Sequence, residues 1–451
     1  MPTQLNEQRD ADVAAVTIEP RTWVLRRLGA PATLTQHQRQ VLRVVGVTSL
    51  FANYGMGIMG LALPQIQAGL HVAEAEIGGV TALVQLGMIP ALLLTVLADH
   101  AGRRRLLLIT ILGFSLCAGL TAFVRSADEF VVAQFLARVF IASNTMLAVV
   151  VIAEEFTPDT RGWGIGMVGA LGALGHGLAS MVFSGVNVLP YGWRALYAFG
   201  VLPLLLLPRF RRTLRETPRF AQHHEAHQYA AGLWASLEPL RNVARMYPGR
   251  MVALCAALFP SAFVFETATI FQAKFLQEAH HYAPATVALL YLSVGALVPL
   301  GNIAGGVLGD RFGRKRVMIG ALLANAAAIA LFYNTGGPLV PVAWGLMMLS
   351  LAIVVVLFSA LGSELFPTSY RSTASGVRST VATLGAAAGL WAEGKLYVLT
   401  GSHAAAITCM LIVAPIAPFI IALCLPETAS RELEEISPER EPVVRSLSRS
   451  T

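Results

Sequence analysis

L97-A-D-H-A-G-R-R-R105 and L308-G-D-R-F-G-R-K-R316 are one pattern written twice. Asp99, Gly102 and Arg103 of the first stretch stand 211 residues before Asp310, Gly313 and Arg314 of the second. Two further pairs keep that spacing to within a residue. A153-E-E-F-T-P-D-T-R-G162 parallels S363-E-L-F-P-T-S-Y-R-S372, so that Glu154 and Arg161 match Glu364 and Arg371. Glu216-Thr217 matches Glu427-Thr428. Three signatures in one order at one offset make the chain a duplicated unit of about half its length.

Working outward, the segments between these signatures are apolar. Hydrophobic residues make up 55% of the 451 and charged residues 13%, about half the charged share of an ordinary soluble domain. The mean hydropathy is +0.62. A helix crossing the hydrocarbon needs about 20 largely apolar residues, and twelve such blocks are predicted, six in each repeat. They run over 40–63, 77–98, 106–124, 130–152, 163–186, 192–208, 251–272, 286–308, 317–333, 340–362, 373–395 and 404–425. The predicted fold class is therefore an all-α membrane protein of twelve transmembrane helices in two pseudo-symmetric six-helix bundles, 40–208 and 251–425.

The formal net charge of +7 does not indicate nucleic acid, because the basic residues cluster in short loops between apolar blocks. Arg103, Arg104 and Arg105 fill one such loop, Arg311, Arg314, Lys315 and Arg316 its repeat, and a run of arginines the linker 209–250. The alternate loops offer little beyond Arg125, Arg194, Lys274 and Lys395. By the positive-inside rule both termini, the polar tails 1–39 and 426–451, are expected in the cytoplasm of a multi-pass protein, with the bacterial inner membrane as the expected site. Cys117, Cys255, Cys409 and Cys424 all fall within predicted spans, so no disulfide framework is read from them. Leu233, Trp234, Leu237 and Leu240 in the linker suggest a helix on the membrane surface. His223, His224 and His227 lie there without acids or cysteines at ligand spacing, and no metal site is assigned.

The repeated junctions resemble the signatures of the major facilitator superfamily: D99-H-A-G-R-R and D310-R-F-G-R-K its loops between second and third helices, A153-E-E-F-T-P-D-T-R-G and S363-E-L-F-P-T-S-Y-R-S the next junctions, and R215-E-T-P-R and P426-E-T the ends of the sugar-porter and metabolite:proton symporter branch. The resemblance implies alternating access, with Asp99, Gly102, Arg103, Glu154, Arg161 and Glu216 as one cytoplasmic gating network. Asp310, Gly313, Arg314, Glu364, Arg371 and Glu427 would form its counterpart. Each junction gathers a carboxylate, a glycine and arginines at helix ends, where charge pairs hold one arrangement of a bundle. The first copy departs from the pattern, with Thr95 where glycine begins the motif and His100 in place of a basic residue.

Charges deep in a span are costly, which makes them candidates for function. Arg138 resembles the superfamily's helix 4 arginine, set to serve substrate or proton coupling. Glu266 is the most interior acid of its span, a candidate proton carrier whose charge state would respond to access. His176 sits within G164-I-G-M-V-G-A-L-G-A-L-G-H-G177, where the glycines favour close packing. F51-A-N-Y-G55 lacks both aspartates of the F-D-x-Y-D pattern that the branch carries, leaving Asn53 and Tyr54 to hydrogen-bond a solute or to pack. Lys274, Glu393 and Lys395 near one face, and Arg378, are read as snorkelling. The expected function is proton-coupled uptake of a small organic solute, an organic acid or sugar-like metabolite, with no cofactor. An efflux antiporter and a non-transporting sensor are the alternatives. No phosphate-cradling, zinc or nucleophile-elbow motif points to an enzyme.

Overall fold

A computed structural model of the chain describes residues 34–213, 245–367 and 370–429. Glu216, the three linker histidines, residues 1–33 and residues 430–451 lie outside the described residues. Every regular element among the described residues is helical, as it must be where the hydrocarbon offers the backbone no hydrogen-bond partner. The chain packs into two compact units, Met1–Leu61 with Pro90–Gln228, and Ala62–Ile89 with Tyr229–Thr451.

The first unit holds α1 (Gln36–Leu61), α5 (Arg103–Thr121), α6 (Ala127–Glu155), α7 (Pro158–Phe183), α8 (Trp193–Phe199), α9 (Leu202–Thr213) and most of α4 (Met88–Ala101). The second holds α2 (Leu63–Leu70), α3 (Glu74–Gln85), α10 (Pro248–Glu278), α11 (Pro284–Gly295), α12 (Leu297–Phe312), α13 (Arg314–Asn334), α14 (Val340–Glu364), α15 (Arg371–Thr400), α16 (His403–Met410) and α17 (Ile416–Cys424). Local chemistry sets the ends. Ser126 caps α6 by accepting from the Glu129 amide at 3.2 Å, with Asp128 and Glu129 in the first turn, where acids suit the positive end of the helix dipole. Proline opens α7, α10 and α11, where its missing N–H goes unused.

All twelve predicted spans fall on helix, and the irregularities repeat with them. The second span of each repeat breaks in its middle, between α3 and α4 and again at Ala296 between α11 and α12. The sixth breaks as well, between α8 and α9 and between α16 and α17. Gly102 and Gly313 adopt almost the same conformation, φ 94 and ψ 137 against φ 96 and ψ 132. Ten helical segments among the described residues are long and apolar enough to cross a membrane. The sixth span, 192–208, is divided at Gly200, and α15 is long enough but carries Arg378, Glu393 and Lys395. Exposed large side chains such as Phe123, Leu205, Leu289, Leu399 and Ile412 are what a lipid-facing surface requires.

Glycines decide the close approaches. In the first unit a Cβ on Gly175 would strike the Leu50 carbonyl, and one on Gly172 would lie 2.8 Å from Asn53 Nδ2, so α7 lies directly on α1 above a core of Val45, Leu107, Ile111, Leu147 and Ile152. In the second, Gly389 abuts the Phe263 carbonyl across α10 and α15. A Cβ on Gly78 would strike the Leu390 carbonyl, and one on Gly394 would lie 2.5 Å from Ala75 O. That backbone contact of α3 with α15 draws Ala62–Ile89, part of the first repeat, into the second unit.

Candidate functional site

The junction ion pairs occur in both units at the duplicated positions. Arg103 Nε donates to Glu154 Oε1 at 3.2 Å in the first. In the second, Arg314 pairs with Glu364 and also with Asp310 Oδ1 at 3.0 Å. Glu427 completes this junction by accepting from the Lys315 amide at 3.3 Å, placing a carboxylate on the N-terminus of α13. Its Oε2 would lie 2.5 Å from a Cβ on Gly313, so positive φ and space both call for glycine there. The side chain of Asp99 and all of Glu216 lie outside the described residues. Arg161 and Arg371 stand at the starts of α7 and α15, each with its Nε buried and unbonded among the described residues.

The interior candidates of the first unit lie on α1, α6 and α7. Arg138 is 8% exposed on α6, the helix that also carries Phe130. Tyr197 forms a box of edge-on rings with Phe130 and Trp193, 6.0–6.2 Å between centroids. The Tyr197 hydroxyl and Trp193 Nε1 are buried donors without a partner among the described residues. Sequence reading missed both, since an aromatic in an apolar block carries no sign of whether its polar tip is satisfied. The Tyr54 hydroxyl donates to the Leu196 carbonyl at 2.7 Å. Asn53 Nδ2 donates to the Ser49 carbonyl at 2.8 Å and lies against Gly172. His176 occupies an exposed position of α7, with its ring against Gly57.

Glu266 lies on an exposed position of α10. One expectation for the second unit changes. Lys274 and Glu393, read as snorkelling, are 1% and 0% exposed. Lys274 Nζ donates to Gln67 Oε1 at 2.5 Å and to Glu278 Oε1 at 2.6 Å, and lies 3.0 Å from Glu74 Oε2. His403 joins Glu74 to Glu393. Lys395 behaves as expected: it is exposed, with Nζ 5.5 Å from the Trp391 ring centroid. The partners of this cluster are up to 329 residues apart, and the one local sign was Glu278 four residues after Lys274.

Among the described residues no group of histidine, cysteine or acids is placed to hold a metal. The arrangement is therefore a set of paired junction charges, a buried guanidinium on α6, a buried aromatic box with two unsatisfied donors, and an ionic cluster at the far end of α10 and α15.

A family model described as Major Facilitator Superfamily matches residues 45–298 and 254–450. The chain is 24% identical over 411 residues to a Bacillus subtilis (strain 168) protein provisionally designated the niacin/nicotinamide transporter NiaP, covering 88% of this chain and 98% of that one. It is 24% identical to the benzoate transport protein of Acinetobacter baylyi, over 66% of this chain and 70% of that one. Its fold is similar to that of the xylose transporter XylE from E. coli in an inward open conformation, with a TM-score of 0.71, 17% identity, and coverage of 88% of this chain and 99% of that one.

Proposed function

Because the chain belongs to the Major Facilitator Superfamily, whose members carry solutes by alternating access between two repeats, we propose that this secondary transporter of a small organic solute takes up an aromatic monocarboxylate together with protons. What supports the reading is Arg138, a buried guanidinium on α6, and Phe130 about two turns before it on the same helix, packed against Trp193 and the unsatisfied Tyr197. A guanidinium grips a carboxylate through two parallel hydrogen bonds, a phenol O–H adds a third donor, and edge-on rings suit a flat apolar body. The relatives named for niacin and benzoate support the same class.

In mechanism, Arg138 would neutralise the carboxylate and the aromatic box would orient its ring. The junction pairs Arg103–Glu154 and Arg314–Glu364 would stabilise one of the alternating arrangements, with Arg161, Arg371 and Asp99 as the remaining members. Glu427, bound at Lys315, would hold the α13 end of the second latch.

The test is uptake of radiolabelled benzoate and nicotinate into proteoliposomes under an imposed pH gradient, with xylose as the sugar control. Arg138→Gln is expected to lower uptake of both acids by at least about tenfold, the loss of roughly one charge-assisted hydrogen bond. Arg138→Lys should recover only part, since lysine lacks the planar fork. Xylose uptake equal to that of the acids, or full activity in Arg138→Gln, rejects the substrate class.

A further inference from the structure

His403 meets a carboxylate oxygen at each of its ring nitrogens. Glu393 Oε1 lies 2.5 Å from Nδ1 and Glu74 Oε2 lies 2.7 Å from Nε2. A neutral imidazole has one N–H, and an ionised carboxylate has none to give. Both contacts contain a hydrogen only when the triad holds one proton more than two carboxylates and a neutral ring. The second oxygen of Glu393, Oε2, is buried with no hydrogen-bond partner among the described residues. That is a costly state for an ionised group.

The surroundings fix where such a proton can come from. Glu393 is sealed, whereas Glu74 and Glu278 are 40% and 44% exposed, so solvent reaches the triad at its Glu74 end. From α10, Lys274 lies against Glu74 and Glu278, and Phe271 faces the imidazole at 4.8 Å. From α15, Tyr397 stacks on that ring at 4.4 Å. From α2, Gln67 accepts from Lys274; from α13, Tyr333 is buried with its hydroxyl on the Ala268 carbonyl. With Lys274 and a protonated His403 against Glu74, Glu278 and Glu393, the formal sum is one negative charge. Loss of one proton doubles it beside the buried Glu393.

We propose that Glu74, His403 and Glu393 form the proton-binding site of the transport cycle, holding one exchangeable proton while α3 lies against α15 and α16. Deprotonation leaves one nitrogen lone pair facing a carboxylate, turning an attraction into a repulsion at the junction where Gly78 and Gly394 bring α3 and α15 into backbone contact. The proton leaves to water at the Glu74 and Glu278 mouth, and no other reactant takes part. In this way the chain restores the coupling group that its first span lacks. The role in transport rests on the proton-coupled reading above; the presence of the proton does not.

Two measurements on the full-length protein separate these. Infrared difference spectra of the purified protein between acid and alkaline pH should show carboxyl and imidazole bands that are missing in both Glu393→Gln and His403→Gln; identical spectra in all three overturn the site. In proteoliposomes, Glu393→Gln should lose pH-gradient-driven accumulation of benzoate or nicotinate at least about tenfold more than it loses counterflow, while the exposed Lys395→Gln accumulates as the wild type. Equal loss in the two assays overturns the coupling role. Wild-type protein that moves neither acid refutes the substrate reading and leaves the infrared result to decide the site.

Discussion

Gly313 adopts φ 96 with Glu427 Oε2 at 2.5 Å from the place of a Cβ. Gly313→Ala is therefore expected to destabilise the protein by about 1–3 kcal/mol from backbone strain alone, read as a lower thermal unfolding temperature in detergent. Tyr54→Phe removes the hydrogen bond to the Leu196 carbonyl and should cost about 1 kcal/mol of stability with the substrate KM unchanged. A large KM effect would return Tyr54 to the binding site. At this scale the sequence disclosed groups whose role is local. Gly102 and Gly313 stand out because a glycine between charged helix ends has few other uses, and Glu154 and Glu364 because their arginines recur at matched spacing. Lys274, Glu393 and His403 did not stand out, for each is ordinary beside its own neighbours and acquires meaning only from partners on distant helices.

Among the elements, α7 is the one whose sequence states its packing most directly. Its glycines recur where α1 passes, and the Leu50 carbonyl and Asn53 occupy the space that side chains at 175 and 172 would need. Gly175→Leu should separate the two helices and cost about 1–3 kcal/mol or more through overpacking, seen as reduced yield of monodisperse protein, whereas Gly169→Leu, which has nothing near its Cβ, should be tolerated. If both behave alike, the glycines serve flexibility and not approach. The breaks within the second and sixth spans were not legible, because a run of twenty apolar residues looks the same whether its helix is continuous or offset by a turn. Their recurrence in both repeats shows that the duplicated unit carries its irregularities with it.

For the whole molecule, the duplication legible in three short motifs is reproduced in backbone conformation, helix breaks and ion pairs. In the second latch Arg314 engages two carboxylates, Asp310 and Glu364, and Glu427 binds beside it; the first motif carries Thr95 and His100 in unusual places. Asp310→Asn is accordingly expected to impair uptake more than Asp99→Asn at equal expression, and equal or reversed losses would count against the asymmetry. What sequence could not disclose is the exchange of Ala62–Ile89 into the second unit, since it depends on the fit of Gly78 to Leu390 and of Gly394 to Ala75. That exchange sets a timetable for biogenesis. At ribosomal rates of 5–20 residues per second, α3 is made about 15–60 s before the helix that receives it. Throughout that interval Glu74 and the bare backbone face at Gly78 wait in the bilayer without the surface they fit. The first repeat synthesised alone should thus be a poor folder, and expression of the second repeat from a separate message should rescue it.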